Sequence, residues 1–136
     1  MAIIARFPFR QVVHPSVGRL VEPMVEVTLS RQTASLRLGM SLDSGADISL
    51  IPDSVGLALG LRPEAQPWTS VRGLTAGRID LRIVEVHLQI GNAAAVPIRV
   101  GWASDDNAPP LLGRLDVFDH FTFEFNHELR MVIVRR

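Results

Sequence analysis

The chain has 136 residues, of which 47% are hydrophobic and 21% charged, and its 14 basic residues are matched by 14 acidic ones. This suits one globular domain with its own core and excludes a disordered chain, and the even, unclustered charge speaks against a nucleic-acid partner held by phosphate contacts. Cysteine is absent and every Lys/Arg position is Arg, which removes disulfide frameworks, thiolate metal sites, Schiff-base chemistry and lysine phosphate loops.

From the N-terminus, Arg6, Pro8 and Arg10 interrupt the first apolar residues before a signal-peptide core accumulates. No apolar run approaches the roughly 20 residues that a membrane helix needs. The expectation is a cytoplasmic protein with no membrane partner, with residues 1–24 as an N-terminal extension and a single domain core over about 25–136. Period-two alternation then predicts strands over Val25–Leu29 and Ala34–Leu38, the second running on into Met40–Asp43. Ile48–Ile51 reads as a short strand stopped by Pro52, and Asp53 or Ser54 is placed to cap a brief helix through Leu59, closed by Gly60. The longest alternating run, Arg78–Ile90, ends at the turn pair Gly91-Asn92. Val96–Val100 follows as a strand, Ala103–Pro110 as a polar loop, Leu111-Leu112 as a buried strand end and Leu115–Phe121 as a short helix. Phe121–Phe125 and Leu129–Val134 close the chain as a hairpin around Asn126-His127-Glu128. The fold class is mainly β.

Asp43-Ser44-Gly45 draws the chemistry. Asp-Ser-Gly alone is common turn material, because Asp and Ser bond their own backbone and Gly supplies unusual dihedrals. Here, however, Leu42 precedes it and Ala46 and an apolar strand follow, so the carboxylate is expected where strands bury the chain. A buried carboxylate without a neighbouring cation costs several kcal/mol, which calls for a purpose or for a partner from another chain.

Three segments resemble the retropepsin-like aspartic proteases. Leu42-Asp43-Ser44-Gly45-Ala46-Asp47 is similar to the family's catalytic loop, Val71-Arg72-Gly73-Leu74-Thr75-Ala76-Gly77 lies where the family carries its flap, and Leu111-Leu112-Gly113-Arg114 matches its hydrophobic, hydrophobic, Gly segment. The resemblance implies a closed β-barrel of the acid protease fold that works as a homodimer on peptide or protein substrates, with no metal or organic cofactor. It implies that Asp43 of each copy supplies acid and base, that Ser44 holds the two loops together and that Gly45 leaves room for substrate. Ala46, Asp47 and Gly73, Leu74, Thr75, Ala76 and Gly77 are the implied substrate-binding and flap residues, and Leu112, Gly113 and Arg114 the implied structural support. An ion pair between Asp47 and Arg114 is implied in the same way, and Leu42, Ile48, Leu74 and Val100 join Ala46 and Leu112 as candidate pocket walls. The chain departs from the retroviral pattern in its longer N-terminal segment and in the hairpin after Phe121, where retroviral proteases interleave short termini between protomers. Trp68 and Arg72 beside the flap segment point to a different specificity.

The alternative in another class is a retropepsin-fold module that binds peptides or mediates assembly without cutting. A third is a ligand-binding barrel in which Asp43 merely makes a turn. The scattered His14, His87, His120 and His127 make no metal site by spacing, Asp105-Asp106-Asn107 reads as a solvated loop, and Phe118, Phe121, Phe123 and Phe125 read as core or dimer packing.

Overall fold

Alternating apolar and polar residues leave most of the backbone no option but to pair as strands, and the computed structural model, which describes residues 1–72 and 78–136, is 53% strand and 7% helix. In chain order its strands are β1 (Ile3–Pro8), β2 (Arg10–His14), β3 (Gly18–Glu22), β4 (Met24–Arg31), β5 (Ala34–Leu42) and β6 (Ser49–Ile51). Helix α1 (Asp53–Ala58) and a single 3-10 turn at Pro63–Ala65 follow. The chain continues with β7 (Thr69–Arg72), β8 (Arg78–Gln89), β9 (Val96–Ala103), β10 (Leu111–Leu112), β11 (Thr122–Asn126) and β12 (Met131–Arg135).

Six strands in the order β4-β5-β10-β6-β9-β8 close into a barrel, because β4 also pairs with β8 through Thr28↔Gln89, Leu29↔Leu88 and Ser30↔His87. Closure removes the sheet edges that would otherwise invite aggregation. The short β10 lies between β5, which it parallels, and β6, to which it is antiparallel. Residues distant in sequence therefore meet at the C-terminal end of β5. A second sheet, β1-β12-β11, joins the segment ahead of Val25 to the C-terminal hairpin, while β2 and β3 pair with each other.

Alternation decides which side chains fill the barrel. On β8, Val84, Val86 and Leu88 are buried while Glu85, His87 and Gln89 face water. Val25, Val27 and Leu29 of β4, Met40 and Leu42 of β5, and Val96, Ile98, Val100 and Trp102 of β9 meet them in one core cluster, which Val132 and Val134 of β12 extend to the second sheet. Trp102 is wholly buried against α1, where a Cβ at Gly56 would come within 2.0 Å of its indole nitrogen. That indole nitrogen donates to the Asp53 carbonyl at 3.1 Å, so the residue at 56 has to be the smallest one for helix and barrel to touch.

Two local expectations are corrected. Neither Asp53 nor Ser54 caps α1: Pro52 holds the cap position, and the Ser54 N–H donates to the Asp106 carboxylate at 2.8 Å while the Asp53 N–H donates to the Asp105 carbonyl at 3.1 Å. The helix is capped across 52 residues of chain by the loop read as merely solvated. In place of the expected Leu115–Phe121 helix, Leu115–His120 form consecutive turns, since Asp116 takes a left-handed backbone conformation at φ 63°. That conformation lets its carboxylate receive Arg99 N, Nε and Nη2 at 2.9, 2.8 and 2.8 Å. Asp tolerates this region better than most residues because its short side chain bonds locally.

Candidate active site

Strand β5 delivers Asp43 and its neighbours to a loop fixed on both sides. The Leu42 N–H donates to the Pro23 carbonyl at 2.8 Å and the Asp43 N–H to the Leu112 carbonyl at 2.9 Å. Asp43 Oδ1 accepts the Gly45 N–H at 2.9 Å, and the Ala46 N–H closes the turn on the Asp43 carbonyl at 3.2 Å. This is local Asp-turn chemistry of the kind the tripeptide favours. Among the described residues that N–H is the one donor to the carboxylate, which leaves Oδ2 open to other partners.

The segment after β10 locks the loop from the other side. The Arg114 N–H donates to the Ala46 carbonyl at 3.0 Å, the Leu115 N–H to the Asp47 carbonyl at 2.9 Å and the Gly113 N–H to the hydroxyl of fully buried Ser49 at 3.0 Å. A Cβ at Gly113 would lie 2.5 Å from both the carbonyl carbon and oxygen of Ile48, so only glycine permits this approach. The Arg114 guanidinium donates through Nη1 to the Ser44 carbonyl at 2.7 Å and through Nη2 to the Asp47 carboxylate. The Asp47–Arg114 pair therefore straddles the loop, and among the described residues no cation pairs with Asp43.

Asp43 is half-buried in the single chain, whereas Ser44 and Gly45 are exposed. This is less burial than the flanking apolar residues led us to expect, because the loop leaves the barrel at its surface. Beside it opens a depression of about 350 Å³ lined by Leu42, Ser44, Phe118, Phe121, Phe123 and Phe125. Of the candidate pocket walls, Leu42, Val100 and Leu112 belong to the core cluster, and Ala46 and Ile48 are partly buried next to the loop. Gly73, Leu74, Thr75, Ala76 and Gly77 lie outside the described residues, and β7 and β8 pair on either side of them as far as Arg72↔Arg78.

Beside that pairing sits an arrangement that sequence reasoning missed. Arg82 of β8 is nearly buried; its guanidinium lies 3.4 Å from the ring centre of half-exposed Trp68 and 5.4 Å from that of Trp102, and its Nε donates to the Gln66 carbonyl at 3.2 Å. Desolvated cation and ring contacts of this kind contribute up to about 2 kcal/mol. They fasten the loop before β7 to the barrel. The alternation of β8 places Arg82 on the inner face, and that was the one available signal.

No family model and no curated protein matches the chain by sequence. Solved structures match it in fold. The EIAV protease complexed with the inhibitor HBY-793 superposes with a TM-score of 0.55 at 20% identity, over 80% of this chain and 93% of that one. A retropepsin-like aspartic protease from Rickettsia conorii superposes with a TM-score of 0.62 at 12% identity, over 97% of this chain and 99% of that one. With its closed six-stranded barrel and its loop at Asp43 pinned by Gly113 and Arg114, the chain has the retropepsin-like fold.

Proposed function

We propose that the protein is an aspartic endopeptidase that works as a homodimer, with Asp43 from each copy forming one catalytic pair. The observation that carries this reading is the Asp43 loop itself: a rigidly held carboxylate with one oxygen fixed by Gly45 and no cation on it among the described residues, in a retropepsin-like fold. Two carboxylates brought within hydrogen-bond distance cannot both ionise and share one proton. The ionised one takes a proton from a water between them as that water's oxygen bonds to the scissile carbonyl carbon, and the protonated one gives its proton to the carbonyl oxygen. The tetrahedral intermediate then collapses: the C–N bond breaks, a proton passes to the departing amine, and the pair returns to its starting state. In this reading Ser44, which is exposed next to Asp43, bonds across to the partner loop. Gly45 leaves space for an extended peptide to approach.

Cleavage of a diverse peptide library from acidic to neutral pH, by wild type and Asp43→Asn, tests this. Pepstatin-sensitive cutting that falls on the order of 10⁴-fold in Asp43→Asn is the expected result. A folded dimer that cuts no peptide moves the assignment to a silent peptide-binding module.

A further inference from the structure

Strands β2 and β3 make a hairpin that, among the described residues, joins neither the barrel nor the β1-β12-β11 sheet. Its register sets Gln11, Val13, Arg19 and Val21 on one face and Val12, His14 and Leu20 on the other. Val13, Leu20 and Val21 are exposed, so both faces show apolar side chains to water. At the tip, His14 Nδ1 accepts the Ser16 N–H at 3.1 Å, and Val17 beside it is 65% exposed. The β11–β12 turn adds exposed Leu129, and its Arg130 carbonyl accepts the Phe9 N–H at 3.0 Å just ahead of β2. A rigid protein partner covers one face of a hairpin and leaves the other wet, whereas a fluid apolar medium surrounds both faces and the tip.

Charge selects the medium. Beside the hairpin, a depression of about 360 Å³ is lined by Gln11, Arg19, Leu20, Val21 and Arg130, with two guanidinium groups and no carboxylate. Neither arginine has an acidic partner among the described residues. The imbalance extends to this whole part of the molecule. Residues 1–22 and 122–136 hold six arginines against Glu22, Glu124 and Glu128, a formal surplus of three positive charges. The chain as a whole is neutral, so residues 23–121 carry the matching negative excess. Apolar side chains collared by unpaired guanidinium groups match an interface in which acyl chains lie under phosphates.

We propose that the β2–β3 hairpin docks the protein on an anionic lipid bilayer, with Val13 and Val17 entering the acyl boundary and Arg19 and Arg130 taking lipid phosphate in the depression they line. Insertion by about 5–10 Å, the depth of an interfacial segment, takes in the tip as far as Val13. Arg19, paired opposite Val13, keeps its guanidinium at the phosphate level while its stem lies along the apolar layer. The same surface repels the negative remainder of the chain, which favours one orientation with the barrel outward. The expectation of no membrane partner rested on helix-length apolar runs, which a docking hairpin does not need. The proposal goes beyond the protease reading and does not depend on Asp43.

Co-sedimentation of the whole chain with vesicles of phosphatidylcholine alone, and of phosphatidylcholine and phosphatidylserine mixed two to one, tests it. Wild type is compared with Val13→Asp, Val17→Asp, Arg19→Gln and Leu57→Asp, with circular dichroism recording the fold of each and sedimentation velocity its assembly. Leu57, half-exposed on α1, is the control. Wild type is expected to pellet with the phosphatidylserine vesicles and not with the others. Each valine variant is expected to bind on the order of tenfold more weakly and Arg19→Gln about fivefold, with Leu57→Asp unchanged. Either valine variant decides should the other fail to fold. A wild type that ignores the phosphatidylserine vesicles or binds both kinds alike overturns the proposal, as does a Leu57→Asp protein equally impaired. So do folded valine variants that bind like wild type, which would mark plain charge adhesion, or a folded Arg19→Gln that does so. A wild type that stays off the vesicles and changes its assembly with Val13→Asp gives the hairpin to a protein interface instead.

Discussion

Asp116 shows what one side chain can impose on its surroundings. Its hydrogen bonds from Arg99 hold its carboxyl at about 2, below the ordinary 3.8, with the nearby His120 acting in the same direction. A carboxyl depressed in the folded state stabilises the protein above its unfolded value, and that contribution fades as pH falls from about 4 toward 2. Asp116 keeps 19% of its side chain exposed and Arg99 55%, so solvent screening reduces the contribution to about 1 kcal/mol. In urea unfolding, wild type is expected to lose about that much more stability than Asp116→Asn between pH 4 and 2; parallel acid limbs would count against the pair. Asp43 is legible in the sequence because its turn bonds span two and three residues, a spacing that local chemistry dictates. The Asp47–Arg114 pair crosses 67 residues and came from the resemblance of two segments, since no local rule joins positions so far apart. The left-handed Asp116 escaped notice for the same reason: the Arg99 that rewards its conformation lies 17 residues away.

At the level of elements, the long strand β8 was readable because alternation repeats along its whole length, and Arg78–Ile90 as expected differs from Arg78–Gln89 as found by one residue. The short β10 was readable from its two leucines, but its position between β5 and β6 belongs to the topology and not to the dipeptide. What seats it is Gly113. Gly113→Ala forces a methyl against the Ile48 backbone, which cannot yield as a flexible side chain can, and a loss of about 1 to 3 kcal/mol is expected. Chemical denaturation measures that loss, and an unchanged midpoint would show that the loop shifts freely. The three strands before Val25 went unassigned, because β1 earns its place through β12 at the far end of the chain. The cap on α1 was hidden likewise, since Asp106 supplies it from another loop.

Across the whole molecule, stability is unevenly spread. The barrel is closed and its interior strands are buried, whereas β2 and β3 pair, among the described residues, only with each other and expose Val13, Leu20 and Val21. A lone two-stranded hairpin is marginal in water. Hydrogen exchange is therefore expected to run fast at Arg10–His14 and Gly18–Glu22 and to approach the global unfolding limit in β4, β8 and β9. Equal protection in both regions would mean that something covers the hairpin. The stack on Arg82 has an optical consequence as well. The chain contains two tryptophans and no tyrosine, so emission excited beyond the phenylalanine absorption comes from indoles alone, and both sit on one guanidinium with Trp102 fully enclosed and Trp68 at 48% exposure. A quencher dissolved in the buffer reaches the outer ring and not the inner one. The protein thus carries a two-channel fluorescent gauge, one channel reporting the integrity of the barrel and the other events beside the strands that flank residues 73–77.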